Sequence, residues 1–103
     1  MSIFVRAISG VTPEQARTNI DIGGPCMVRA SAKNYLRVAS VTDPQDYARL
    51  ITELREQNGT LGLDTRFYLM KKSFAHTADY DTAIASFFAK TAPDAVSATY
   101  RLH

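Results

Sequence analysis

Residues 21–34 read Asp-Ile-Gly-Gly-Pro-Cys-Met-Val-Arg-Ala-Ser-Ala-Lys-Asn, and this stretch decides how the chain is organised. Gly23 and Gly24 end one predicted helix, and Pro25 suits the first turn of a second helix that should run to about Asn34. Glycine backbone at a helix start lets a ligand approach the N–H groups, and the helix dipole favours an anion or a carbonyl oxygen that gains negative charge. The segment is therefore a joint between two helices and a candidate site.

The residues before this joint predict one strand and one short helix. Ile3–Ile8 is rich in β-branched and aromatic residues and predicts a strand that ends at Ser9-Gly10. Thr12 can cap the helix that follows, Pro13 suits its first position, and Gln15 completes a capping box.

The residues after the joint continue its helix and then predict a second strand. Within the helix we expect Met27 and Val28 to face inward, with Ala30 and Ala32 closely packed. Residues 37–42 predict the strand, because they read Arg-Val-Ala-Ser-Val-Thr.

Two more helical patterns complete the chain. Asp43-Pro44 predicts a capped helix start, and Asn58-Gly59 predicts a left-handed helix end. The apolar stripe between them is Tyr47, Leu50, Ile51 and Leu54. Residues 63–90 predict either one long helix or two helices that break near residues 76–78, and residues 92–103 should form a frayed tail. The apolar stripe at the start of the pattern over residues 63–90 is Leu63, Phe67, Met70 and Phe74.

These elements predict a single α/β domain over residues 1–103, with two parallel strands, a right-handed βαβ-type crossover and long C-terminal helices. Parallel sheets are normally covered on both faces, so two strands alone should leave apolar surface open. We therefore expect the chain to form a homo-oligomer or to need a partner chain.

Composition excludes several classes of function. The 103 residues carry a formal net charge of +2, and the only adjacent basic pair is Lys71-Lys72, so we expect no nucleic-acid partner. One cysteine, Cys26, permits no internal disulfide and fits a reducing compartment. The absence of a long apolar run or a signal-type N-terminus predicts a cytoplasmic protein with no membrane partner. No His and Cys spacing suggests a metal site.

The candidate site combines an acid, a cationic face and helix N–H donors. Asp21 could accept a proton or a ligand N–H, and Arg29 and Lys33 share one helix face because they are four residues apart. The plainer interpretation is a tight turn followed by a solvated helix face, and spacing alone leaves both open. Cys26 and His76 are weaker candidates for a nucleophile and a base, respectively.

The same segment resembles the Asp-Ile-Gly-Gly-Pro…Arg-Ala-x-Ala-Lys-Asn signature of the IMP cyclohydrolase domain found in bifunctional purine biosynthesis enzymes, which also carry an AICAR transformylase. Further motifs are similar in order and spacing over about residues 4–88. They are Gly-Val-Thr at 10–12, Val-Thr-Asp-Pro-Gln-Asp-Tyr at 41–47, Leu-Asp-Thr-Arg at 63–66, and Lys-Ser-Phe-Ala-His-Thr-Ala-Asp-Tyr-Asp at 72–81.

The resemblance implies a methylglyoxal-synthase-like fold and a ring closure in which formyl-AICAR loses water to give IMP. By motif, Asp21 and Lys33 match the family's catalytic acid and lysine. The resemblance implies no metal or organic cofactor and a purine nucleotide as the bound partner. The substrate-binding residues that it implies are Ile22, Gly23, Gly24, Arg29 and Asn34.

The chain also departs from the family pattern. The family's domain is about twice as long, and its phosphate-binding turn would precede residue 1. An Asn-Leu-Tyr-Pro segment before the first strand is replaced by Met1-Ser2-Ile3. We therefore expect a partner chain to supply the phosphate-binding half. Two alternatives remain open: a non-catalytic purine-nucleotide-binding or regulatory module, and a structural remnant that mediates assembly.

Overall fold

A computed structural model describes residues 11–100 of the chain. Within this range the protein is helix-rich, with five α-helices and one 3₁₀ turn. The helices are α1 (Pro13–Asn19), α2 (Gly23–Lys33), α3 (Tyr47–Glu56), α4 (Leu63–Ala89) and α5 (Pro93–Ser97), and the 3₁₀ turn, Pro44–Asp46, directly precedes α3.

The described chain divides into two compact units. We call residues 11–21 and 78–100 the split unit, because they are separate in sequence, and residues 22–77 the continuous unit. Helix α4 contributes its first fifteen residues to the continuous unit and the remainder to the split unit.

The core of the split unit forms around Ala16, which is fully buried. Helix α1 brings Ala16 inward, and α1 also contacts α5. The half-buried residues packed against Ala16 come mostly from the end of α4; they are Val11, Ile20, Tyr80, Ala83, Ile84, Phe87 and Phe88. The predicted capping box of α1 is confirmed: Gln15 N–H donates to Thr12 Oγ1, and Thr12 N–H donates to Gln15 Oε1.

The core of the continuous unit includes Leu69, Ala32 and Leu50. The buried positions of α4 here recur every four residues, and three of the four are polar: Thr65, Leu69, Ser73 and Thr77. The predicted stripe was therefore wrong in part, because Leu63 and Phe67 are exposed.

The inward face of α2 also differs from the prediction. Ala32 is buried as expected and Val28 is half-buried, but Ala30 is exposed and the Met27 side chain is 74% exposed. Val28 and Ala32 are four residues apart and share a face, whereas Met27 and Ala30 lie off that face. In α3, only Leu50 of the predicted stripe is buried.

The α/β prediction is only partly met. The first predicted strand, Ile3–Ile8, lies outside the described residues. The second, at residues 37–42, is wrong: a turn covers residues 34–37, and residues 38–43 have no regular secondary structure. A strand requires a hydrogen-bonded neighbour, and no neighbouring strand exists within residues 11–100. The coarser statement, a helix-rich fold with a long C-terminal helix, holds.

Four local predictions about helix ends and breaks can be compared with the structure. Asp43 caps the 3₁₀ turn, as predicted, since Gln45 N–H donates to Asp43 Oδ1. Asn58 and Gly59 follow α3 with φ values of 55° and 85°, which confirms the left-handed end. Residues 63–89 form one continuous helix with no break near residue 77. Helix α5 lies within the segment expected to be a frayed tail.

Candidate functional site

The linker between α1 and α2 carries Asp21. Helix α1 ends at Asn19, and Ile20 N–H donates back to Arg17 O at 3.4 Å. Asp21 follows with its N–H donating to Tyr80 Oη at 2.8 Å. Ile20 also packs against the core around Ala16. The main chain is therefore held at Ile20 by that core and at Asp21 by the bond to Tyr80.

Helix α2 begins two residues earlier than predicted, so Gly23 and Gly24 are its first two residues. Pro25 is tolerated there because the first N–H groups of a helix have no intrahelical acceptor. Ile22 provides no side-chain cap and is exposed. A Cβ at Gly23 would meet no atom within 4 Å, so the start of the helix is open to a ligand that approaches there. Its dipole favours a negative group at this end.

The cationic residues of α2 lie further along the helix. Arg29 places its guanidinium carbon 5.3 Å from the centre of the Phe74 ring. Lys33 is exposed and is the last residue of α2, and Asn34 follows as its C-cap. A helix rises about 1.5 Å per residue, so Gly24 and Lys33 are separated by about 13 Å along the axis. The glycine N–H groups therefore lie at the start of α2 and Lys33 lies at its end, so they do not meet at the N-terminus of the helix.

The predicted site residues fall in both compact units. Ile22, Gly23, Gly24, Arg29, Lys33 and Asn34 belong to the continuous unit. Asp21 belongs to the split unit, where Tyr80 holds it.

Three serines that the sequence analysis did not single out hold α2 in the continuous unit. Ser31 Oγ donates to Ser40 Oγ at 2.9 Å, and Ser73 Oγ contacts both Ser40 O at 3.0 Å and Ser40 Oγ at 3.1 Å. Ser40 and Ser73 are buried. Buried hydroxyls are costly unless they are hydrogen-bonded, so this cluster fixes α2, residue 40 and α4 in one arrangement.

Lys72 forms a charged cluster with Asp43 and Asp46. Its Nζ lies 2.8 Å from Asp43 Oδ2 and 2.8 Å from Asp46 Oδ2. Tyr68 Oη contacts Asp46 Oδ1 at 3.3 Å. The hydrogen bond from Lys72, aided by Gln45 N–H, lowers the pKa of Asp43, and the bonds to Asp43 and Asp46 raise the pKa of Lys72.

The charged cluster of Lys72, Asp43 and Asp46 should make the stability of the folded state sensitive to acid. Because its pKa is lowered, Asp43 stabilises the folded state above about pH 4 and loses that contribution as the pH falls through its folded pKa. Because its pKa is raised, Lys72 keeps its contribution to stability up to about pH 10. When the wild type unfolds in acid, the Asp43 carboxylate takes up a proton. We expect the Lys72→Met variant to take up about one proton fewer than the wild type when it unfolds in acid. Thermal unfolding followed by circular dichroism between pH 2 and 7 measures this difference.

The neighbouring Lys71→Met variant is the matched control, because Lys71 is exposed and its ammonium contacts only the Phe67 ring among the interactions that the structure shows. We expect it to retain the acid dependence of the wild type. Equal acid dependence in Lys72→Met and the wild type would contradict the role given to the cluster.

Two further polar side chains, Glu53 and Arg66, make hydrogen bonds around the start of α4. Glu53 accepts from Gly62 N–H at 2.9 Å and from Thr65 Oγ1, and these two bonds lower the pKa of Glu53. The Arg66 guanidinium donates to Tyr35 O at 3.0 Å and to Leu61 O at 2.7 Å. Asp43, Thr65, Arg66 and Lys72 all lie in the motifs quoted above, so the motifs could have singled out these residues, although not their partners.

The weaker candidates gain no support. Cys26 and His76 are exposed. Among residues 11–100, no three His, Cys, Asp or Glu side chains are grouped as metal ligands would be. Over the same range, no helix combines the length and the apolar character needed to cross a membrane.

Comparison with known proteins identifies the family. Residues 31–103 match the AICARFT/IMPCHase bienzyme family. The chain is 47% identical over 94 residues to the bifunctional purine biosynthesis protein PurH of Acidithiobacillus ferrooxidans. That alignment covers 91% of this chain and 18% of the relative. The corresponding protein of Neisseria meningitidis is 48% identical over 88 residues (85% and 17%), and that of Anaeromyxobacter sp. strain K is 50% identical over 99 residues (94% and 19%).

The chain thus spans about a fifth of the length of these relatives. The family match covers more than two thirds of the chain, and the relatives match most of it at nearly half of the aligned positions. The chain belongs to the AICARFT/IMPCHase bienzyme family.

Proposed function

We propose that this chain forms the C-terminal half of an IMP cyclohydrolase domain and takes part in closing formyl-AICAR to IMP. The observation that carries the proposal is the open start of α2 at Gly23-Gly24, with Asp21 before it and Lys33 at its end, in a chain of this family. The finer fold, a methylglyoxal-synthase-like domain, is part of the same proposal.

The ring closure requires few groups from the protein. The carboxamide nitrogen forms a bond to the formyl carbon, and the formyl oxygen leaves as water. That water takes one proton from the carboxamide nitrogen and one from the formamide nitrogen, so the reaction needs no oxidant, reductant or added proton.

Each site residue has a role in that sequence of steps. Asp21 orients the attacking amide and accepts its proton, and Lys33 donates a proton to the departing oxygen. The N–H groups at the start of α2 attract negative charge on the nucleotide. Because Gly24 and Lys33 are about 13 Å apart along the helix, the substrate would lie beside α2, with Arg29 between these two points.

The remaining part of the pocket, including the phosphate-binding half, would come from the rest of the protein or from a partner chain. Positioning alone supplies about 7–11 kcal/mol in well-oriented reactions, so the matched segment should turn over poorly without it. The proposal implies a reaction in the cytoplasm, with a purine nucleotide as ligand and without a cofactor.

A chimaera tests the proposal in a complete setting. This chain replaces the matching 94-residue segment of the Acidithiobacillus ferrooxidans protein, and IMP formation from formyl-AICAR is followed by absorbance. We expect turnover close to that of the unmodified relative. IMP binding without turnover would favour the non-catalytic nucleotide-binding module, and neither binding nor turnover in a folded chimaera would refute the proposal.

An assembly role is the second candidate, and exposed apolar side chains favour it. Within residues 11–100 these include Ile22, Met27, Leu36, Tyr47, Ile51, Leu63 and Phe67. We expect the isolated chain to associate in sedimentation velocity at micromolar concentrations, because a second copy can cover apolar side chains that one copy leaves exposed. A single monomeric species over the whole concentration range would contradict this expectation.

A further inference from the structure

Tyr80 combines an anchored ring with a hydroxyl that contacts Asp21. It lies on α4 in the split unit, and its half-buried ring packs against Ala16. Its hydroxyl accepts a hydrogen bond from Asp21 N–H at 2.8 Å, across 59 positions of the sequence. A buried tyrosine ring with a bonded hydroxyl is a rigid support, because it has few rotatable bonds.

This hydrogen bond is one of the contacts that hold the backbone around Asp21. On its N-terminal side, Ile20 is held by the core around Ala16 and by its bond to Arg17 O. On its C-terminal side, Ile22 is exposed and makes no side-chain cap on α2. The Tyr80 hydroxyl contacts the main chain at the residue that carries the candidate acid.

From this geometry we infer that Tyr80 is a positioning residue for Asp21. The inference rests on the proposed function, since it gives the hydrogen bond a purpose in catalysis. Tyr80 acts through Asp21 and does not itself touch the reacting atoms. Loss of the hydroxyl leaves the ring in the core and removes the acceptor that fixes the Asp21 backbone.

The Tyr80→Phe variant tests the inference in two ways. Hydrogen exchange of the Asp21 amide, measured by NMR on the chain itself, should become about two- to tenfold faster, the range that corresponds to one net hydrogen bond. In the chimaera, kcat for IMP formation should fall about tenfold or more with KM little changed, because small misplacements of a catalytic group are costly. The helix content should stay at the wild-type value.

Tyr68→Phe is the matched control. Tyr68 is also a half-buried tyrosine on α4, and its hydroxyl contacts Asp46 instead of the candidate site. We expect this variant to leave both Asp21 exchange and kcat at wild-type values.

The two measurements separate the inference from the proposed function. Unchanged Asp21 exchange in Tyr80→Phe overturns the inference whatever the activity, and so does faster exchange with unchanged kcat. A wild-type chimaera that is folded but inactive overturns the proposed function and the catalytic part of the inference. The exchange measurement needs no substrate and still decides whether Tyr80 holds Asp21.

Discussion

Replacing Lys33 with alanine should slow IMP formation by the chimaera at least about a hundredfold. General acid–base catalysis by one positioned side chain contributes about 10²- to 10⁴-fold, and we expect kcat to fall within that range. Asp21→Asn should produce a loss of similar size, because the amide keeps the shape of the carboxylate and cannot accept the proton. The absorbance assay for IMP measures both losses directly.

Both substitutions should leave the fold intact. Lys33 and Asp21 are exposed, and the bond to Tyr80 uses the backbone N–H of Asp21, which the asparagine variant keeps. Circular dichroism and thermal unfolding check this. Lys90→Ala is the control for loss of one exposed lysine near a helix end, and it should retain full activity. A kcat equal to that of the unmodified chimaera in either Lys33→Ala or Asp21→Asn would sink the assignment of the site.

Leu69→Ala should cause a large loss of stability in the isolated chain. Leu69 is 1% exposed and is one of the two largest fully buried side chains among the described residues. Truncating a buried leucine to alanine costs about 2–5 kcal/mol, since the loss of burial and the cavity both contribute. A loss of this size lowers Tm by about 10 °C or more in a chain of this length. Thermal and urea unfolding measure the change.

Leu36→Ala is the matched control, because it removes the same atoms from a side chain that is 62% exposed. Surface substitutions usually change stability by less than about 0.5 kcal/mol. Equal losses in the two variants would show that Leu69 is not in the core of the continuous unit.

Helix ends were predictable from sequence because their chemistry is local. Thr12 and Gln15 form a capping box over three residues, Asp43 caps a turn two residues away, and Gly59 needs only its own backbone freedom. These interactions involve neighbours in the chain, so residue type and spacing specify them.

The strand at residues 37–42 and the inward face of α4 were predicted wrongly for a different reason. A strand depends on a partner that lies elsewhere in the chain, and local β-propensity cannot supply one. Ser73 and Thr65 are buried because distant groups satisfy their hydroxyls, Ser40 in one case and Glu53 in the other. Apolar periodicity cannot detect a buried residue whose hydroxyl finds its partner far along the sequence.

The candidate site was predictable in part. The joint at Gly23-Gly24 and the face shared by Arg29 and Lys33 follow from spacing, whereas the roles of Asp21 and Lys33 came from the resemblance. The contact between Tyr80 and Asp21 spans 59 positions, so no local pattern indicates it. The separation of about 13 Å between Gly24 and Lys33 follows only once both are known to lie on one unbroken helix.

The discontinuity of the split unit has a consequence for the order of events on the ribosome. Ala16 is translated before Tyr80, Ile84 and Phe87, which pack against it and come more than 60 residues later. The continuous unit has all its residues between 22 and 77 and can collapse while α1 is still without its core. Closing so long a loop costs entropy that only the late contacts repay. Folding should therefore begin in the continuous unit, and the Asp21 backbone should be held only after the end of α4 has emerged from the ribosome.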